Sequence, residues 1–309
     1  MDIIAQGAIV VGVTGPGRET AALLFAAECA RRENVEVVLV HAFGAELPPP
    51  PPSVLITYAE ARDVAEWVVK EVEQEFEELT GGSPAFRTAA LVGAPKHVLV
   101  ELSREARLIV LQHRDSHWLG RLFVGSTANG VASHSDCPVV SVPTGWEPDK
   151  AGGEVVVGVH EGGAPRQLLE AAFDWAAATG APVRVVHAWH LDAAYDDIIT
   201  DRVATAWRDG QRQELQAATS GFRDSHPTVS VELEVRHQWP AQVLVDDSQV
   251  ASLVVVGRHA GHGRLLEHLG SVARTVLREA KSPVMVVPVR TSHETEDWGL
   301  VADELSPQT

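Results

Sequence analysis

The sequence predicts an α/β fold of two tandem, doubly wound domains, each a Rossmann-like five-stranded parallel sheet. Three observations predict it. First, the chain repeats itself. Ile9–Ala30, "IVVGVTGPGRETAALLFAAECA", resembles Val155–Ala177, "VVVGVHEGGAPRQLLEAAFDWAA", and Val124–Pro143, "VGSTANGVASHSDCPVVSVP", resembles Leu269–Pro288, "LGSVARTVLREAKSPVMVVP". The spacing hardly drifts: His41 and His187 stand 146 residues apart, Pro95 and Pro240 145, Ser126 and Ser271 145. Second, each copy alternates short β-branched runs with amphipathic helical segments, the order of a parallel sheet covered by helices on both faces. Third, runs such as "GEVVVGVH" and "SLVVVG" are nearly all apolar, as strands buried on both sides are.

In the first copy the pattern gives strands near 8–13, 36–42, 85–92, 107–112 and 138–142, and helices near 18–32, 54–79, 95–105 and 125–135. Crossovers in such a sheet are right-handed, and ligands bind where the strands end at a topological switch point. The loops after strands 1 and 4 meet there. "ELPPPPPSV" (Glu46–Val54) follows strand 2; the run Pro48–Pro52 suits neither a helix nor a central strand. It reads as a stiff surface connection, with a motif for a proline-binding partner as the alternative. In "EVEQEFEEL", Val72, Phe76 and Leu79 recur at helical spacing, giving one buried stripe and a solvated acidic face. "TGWEPDKAGGE" (Thr144–Glu154) reads as the linker. The domains are thus 1–146 and 152–290, with an acidic tail over 291–309. That tail carries five acids and no Lys or Arg, and is expected to be disordered or loosely docked.

The 309 residues are 45% hydrophobic, enough for large cores, and carry a formal net charge of −17. Such a chain repels phosphate backbones at long range, which argues against general nucleic-acid binding. Local backbone dipoles still permit fixed sites for small anions. No apolar run approaches the roughly 20 residues of a membrane span, and the N-terminus has no basic signal-like region. Cys29 and Cys137 lie far apart and suit a reducing cytoplasm.

The chemistry concentrates in "VVVGRHAGHGRLLEHLGSVA" (Val254–Ala273). An apolar run stops at Gly257, a Gly/His/Arg loop follows, and Gly270-Ser271 open a helix. A helix start offers free N–H groups and a positive dipole end, glycine allows close approach of phosphate, and Ser271 can add a hydroxyl. On spacing alone, the competing interpretation is a tight turn with Ser271 as helix cap.

Both copies here resemble the universal stress protein family, which carries Gly-x2-Gly-x9-Gly-[Ser/Thr] after strand 4. The resemblance covers nearly the whole chain, including "GAP" at 93–95, "GS" before helix 4, and "CPVVSVP" and "SPVMVVP" at strand 5. It implies an ATP-type site in the second copy on Val256, Gly257, Ala260, Gly270, Ser271 and Val272, with Mg2+ accompanying bound ATP. The backbone of Ala188 would lie beside the adenine. At the end of strand 1 the family's ATP-binding members place an Asp; this chain has Thr14 and His160. His160 can hydrogen-bond or stack, or be an exposed loop residue. The first copy reads Gln112, Asp115, Gly125 and Ser126, so both loop glycines are gone, and loss or weakening of nucleotide binding is expected there. The resemblance also implies that the last strands of the two copies pair, giving an intramolecular pseudo-dimer that could pair again into a homodimer.

No nucleophile elbow, Walker pattern or zincin motif appears. His259, His262 and His268 lack the thiol or carboxylate partners of a zinc site, as do His113 and His117. His41 and His187 match in the repeat and read as structural. Asp246-Asp247 are a solvated helix face by default, with a paired-carboxylate site as the alternative. The expected function is that of a cytoplasmic, non-enzymatic stress-response regulator that senses an adenine nucleotide. The alternatives are a nucleotide-free interaction scaffold and a slow nucleotide hydrolase.

Overall fold

The computed structural model describes residues 7–44, 58–113, 126–148, 153–160, 163–190, 201–259 and 269–289. The first copy runs β1 (Ile9–Gly12), α1 (Thr20–Glu33), β2 (Val37–Gly44), α2 (Tyr58–Thr80), β3 (Phe86–Gly93), α3 (Pro95–Leu102), β4 (Leu108–His113), α4 (Ser126–His134) and β5 (Val139–Pro143). The second runs β6 (Val155–Val159), α5 (Arg166–Thr179), β7 (Val183–Trp189), α6 (Asp201–Ser225), β8 (Val231–His237), α7 (Pro240–Asp247), β9 (Leu253–His259), α8 (Ser271–Glu279) and β10 (Val284–Val289).

All ten strands form one sheet in the order β3-β2-β1-β4-β5-β10-β9-β6-β7-β8. Neighbours are parallel except at the centre, where β5 and β10 run antiparallel with Met285 opposite Val140. Each copy therefore has strand order 3-2-1-4-5, and the switch point lies between the first and fourth strands of each. The two copies join through their last strands, as the resemblance implied.

Side chains alternate across the sheet. Ile9, Val11, Val155 and Val157 face a layer with Leu23, Phe25, Phe76, Leu168 and Phe173, drawn from α1, α2 and α5. Val10 and Val156 face a second layer with Leu99, Val131, Leu244 and Val276, drawn from α3, α4, α7 and α8. Both strand faces are therefore covered, which is why the strands read as unbroken apolar runs. The predicted stripe on α2 is present: Val72 and Phe76 are buried and Leu79 packs against the core.

Three expectations change. The helix expected over 95–105 ends at Leu102, because the Ser103 hydroxyl bonds the Val100 carbonyl in a tight turn. The linker is anchored: Trp146 meets Phe25 edge-on with centroids 5.2 Å apart, and Phe25 stacks on Trp175 of α5 at 5.3 Å. Arg32 lies 5.4 Å above the Trp175 ring, so aromatic and cation–π contacts cross between the copies. Asp247, expected on a solvated face, is buried, whereas Asp246 is exposed. The Pro48–Pro52 run and the 291–309 tail lie outside the described residues.

Candidate functional site at the carboxyl ends of the strands

In the second copy β9, β6 and β7 are neighbours, so their ends form one rim. Past β6, His160 is exposed and bridges to Gly163. Ala188, near the end of β7, is buried. Val256 is buried on β9, and Gly257 pairs with Val287. The rim thus carries His160, Ala188, Val256 and Gly257. Gly270, Ser271 and Val272 open α8, which follows β9 in the chain. Ala260, Asp115, Gly125, His117, His262 and His268 lie outside the described residues.

Gly270 is the N-cap of α8 and makes no side-chain cap bond. Its φ is −58°, which any residue adopts, and a Cβ built there meets nothing within 4 Å. Neither backbone strain nor internal packing calls for glycine at this position. The first turn of α8 presents N–H groups with positive partial charge. Arg274 folds back to the same helix end, where its Nη2 donates to the Leu269 carbonyl at 3.0 Å. A cation beside a helix N-terminus opposes the dipole, so the two together make a locally positive spot in an acidic protein. Arg274 reads in sequence as one more polar residue on a helix, and the repeat aligns it with Asn129.

In the first copy, the part of the rim between β1 and α1 is filled by the chain's own side chains. Gln112, which stands where Gly257 does, caps α1: its Oε1 accepts from the Ala22 N–H at 3.1 Å and its Nε2 donates to the Arg18 carbonyl at 2.9 Å. After β1, buried Glu19 accepts from the Thr14 N–H at 3.1 Å and from the Thr14 hydroxyl at 2.6 Å. Glu75 of α2 accepts from the Gly17 N–H at 2.7 Å and the Thr20 hydroxyl at 2.8 Å. These donors, which an anion could otherwise use, bind internal carboxylates. His41 and His187 play the same part in both copies: each Nδ1 bonds the last carbonyl region of the neighbouring strand, Val13 at 3.0 Å and Val159 at 3.3 Å.

One residue ties the second copy's rim to the opposite end of the first copy. Arg258 follows Gly257, is buried, and donates to the Ser133 carbonyl at 2.8 Å and the Ser135 carbonyl at 2.7 Å. These carbonyls lie at the C-terminal end of α4, where a cation is favourable. The second copy's strand 4 thereby holds the first copy's helix 4.

The second copy also contains an ion network in which Arg184 and Asp247 are buried and Glu154, Glu234 and Arg236 half-buried. Arg184 pairs with Glu154 at 2.7 Å and Glu234 at 2.9 Å, with Asp247 at 3.4 Å. Arg236 grips both oxygens of Glu234, at 2.6 and 2.7 Å, and reaches Asp247 at 2.9 Å. The Arg236 guanidinium, with Arg184 beside it, holds the Glu234 carboxyl below its usual value against the opposing effect of burial. Burial acts against the charge on Arg184, but its carboxylate partners keep its pKa raised. Elsewhere burial pushes the Cys137 thiol up to about 11 and the Cys29 thiol up further, so neither is a ready nucleophile. Among the described residues no three His, Cys, Asp or Glu side chains converge as a metal site, and no helix is long and apolar enough to cross a membrane.

The sequence profile of the Universal stress protein family matches twice, over residues 7–143 and 153–288. Universal stress protein Rv2623 of Mycobacterium tuberculosis H37Rv is 30% identical over 290 residues, covering 90% of this chain and 95% of that protein. Universal stress protein Rv1996 of the same strain is 30% identical over 305 residues, covering 91% and 95%. Among solved structures, a universal stress protein from Archaeoglobus fulgidus DSM 4304 superposes with a TM-score of 0.67 at 16% identity, over 92% of this chain and 99% of that one. That likeness speaks to the fold. With the repeat, the 3-2-1-4-5 strand order and two profile matches that together span most of the chain, the chain belongs to the universal stress protein family as a tandem of two such units.

Proposed function

We propose that the second copy binds an adenine nucleotide, ATP with Mg2+ on its phosphates, and that the protein acts as a non-enzymatic nucleotide sensor in the cytoplasm. The observation that carries this reading is the start of α8. Gly270 faces open space, its helix lacks a side-chain cap, and Arg274 adds a cation at the positive helix end. A phosphate there would accept the free N–H groups and offset the clustered positive charge. Val256, Gly257, Ser271 and Val272 would frame the phosphates together with Ala260, and His160 would stand at the rim. The Ala188 backbone would lie beside the base.

The first copy supports a different role. Gln112, Glu19 and Glu75 already engage donors after β1 and at the start of α1, and in this reading the first copy serves as a nucleotide-free partner or interaction half. The test is calorimetric titration of nucleotide-stripped protein with Mg·ATP, followed by product analysis. One saturable site per chain without ADP or AMP production is expected. Gly270→Asp should lower affinity by at least 100-fold, because a carboxylate would meet phosphate at close range. Aspartate is itself a good N-cap, so fold stability should stay within about 0.5 kcal/mol. Unchanged affinity in this variant would overturn the α8 site, and steady turnover would favour a hydrolase.

A further inference from the structure

A run of six aromatic rings crosses the second copy beyond the end of β7. Buried His187 meets Trp207 of α6 at 5.3 Å, and Trp207 meets Trp189 at 4.4 Å. Trp189 stacks on His237 of β8 at 4.0 Å, and His237 lies 5.8 Å from His190. His190 in turn stacks on Trp239, with centroids 4.0 Å apart and planes 12° from parallel. The run starts in the core and ends in solvent: Trp239 is 59% exposed although one indole face lies against His190. Among the described residues, the first copy has no rings at the aligned positions of the outer half. The repeat aligns His190, His237 and Trp239 with Gly44, Val92 and Ala94.

The run's position identifies what it could hold. Trp239 is the N-cap of α7, at the same end of the sheet as Gly257 and the start of α8. Trp239 follows β8, and β9 and β8 are separated by β6 and β7, so the anion-attracting end and the ring platform are about three strand spacings, or about 14 Å, apart. A ligand charged at one end and flat at the other spans that gap.

We propose that Trp239, supported from behind by His190, is the stacking surface for the nucleobase of the second copy's ligand. This rests on the nucleotide reading above and sharpens it. Recognition of the base then comes from ring area rather than from edge-reading hydrogen bonds, because every base has a π-face. The second copy should therefore take purine nucleotides as a class, with ATP and GTP within a few-fold of each other and CTP and UTP weaker.

The test measures the affinities of Mg·ATP and of ribose 5-phosphate, which lacks a base, on the full chain and its Trp239→Ala and Trp239→Phe variants. Trp239→Ala should weaken ATP about tenfold, a typical loss for one base–aromatic stack. Ribose 5-phosphate should bind all three proteins equally, and Trp239→Phe should recover most of the ATP affinity. If Trp239→Ala binds ATP like the wild type while Gly270→Asp does not bind, the platform is wrong and the nucleotide reading stands. If the variant loses both ligands alike, Trp239 supports the fold and the proposal fails. If the wild type binds no ATP, both readings fall.

Discussion

The two copies share one backbone plan and fill it with opposite chemistry. At five aligned positions the first copy has Ala8, Val38, Ala89, Leu91 and Leu102, all buried or packed against the core. The second has Glu154, Arg184, Glu234, Arg236 and Asp247, tied into one ion network. The rims differ too: the first copy ties up donors after β1 and at the start of α1 with internal hydrogen bonds, while at the start of α8 the second has Gly270 facing open space. The comparison teaches that similar strands and helices form over either interior, provided that every buried charge has a partner.

The network's interdependence gives the largest expected effect. Asp247→Ala strands Arg184 and Arg236 with one acid fewer and should destabilise the fold by about 3–5 kcal/mol. Replacing all five residues by their first-copy counterparts should instead be neutral, or stabilising by about 1–4 kcal/mol. Urea midpoints of the two variants decide the point; equal losses in both would mean that the network is not interchangeable with an apolar core. Next in size is Arg258→Met, which removes two charge-assisted hydrogen bonds between the copies. A loss of about 2–3 kcal/mol is expected, with faster amide exchange at the C-terminal end of α4. Gln112→Ala uncaps α1 and should cost about 1 kcal/mol in the first copy alone, as exchange in α1 would report.

The smallest effect concerns acid. Because Arg236 and Arg184 depress the folded-state value of Glu234, its contribution is fully present above the ordinary glutamate value of 4.5 and fades as pH falls through the lower folded value. The second copy should loosen before the first on acidification below that point. The five-residue replacement should remove the difference; amide exchange followed over an acid series would show whether it does.

The repeat and the unbroken Val and Leu runs made the fold legible, because central strands covered on both faces leave no polar alternation to misread. The rim was legible in outline through Gly257, Gly270 and Ser271. The network was not. In "VELEVRH" the charges at Glu234 and Arg236 alternate with apolar residues, which is the signature of a half-solvated strand. Only the packing of β6, β7, β8 and α7 brings those half-buried charges against Arg184 and Asp247. Gln112 read as a lost glycine; the fold reveals what it gained, a cap for α1 made 90 residues away in sequence. Arg274 stayed hidden for a similar reason, since its contact is with a carbonyl preceding its own helix.

The central β5–β10 join has an evolutionary consequence. Two separate chains that met along such an edge would do so at a rate set by their concentration, and each would also find copies of itself. A covalent tether fixes the partner and raises its local concentration towards the millimolar range. Each molecule then always contains one copy of each kind, in equal number. Changes that would be ruinous if both halves carried them, such as Gln112 in the place of a loop glycine, become tolerable in one half because the other is permanently attached.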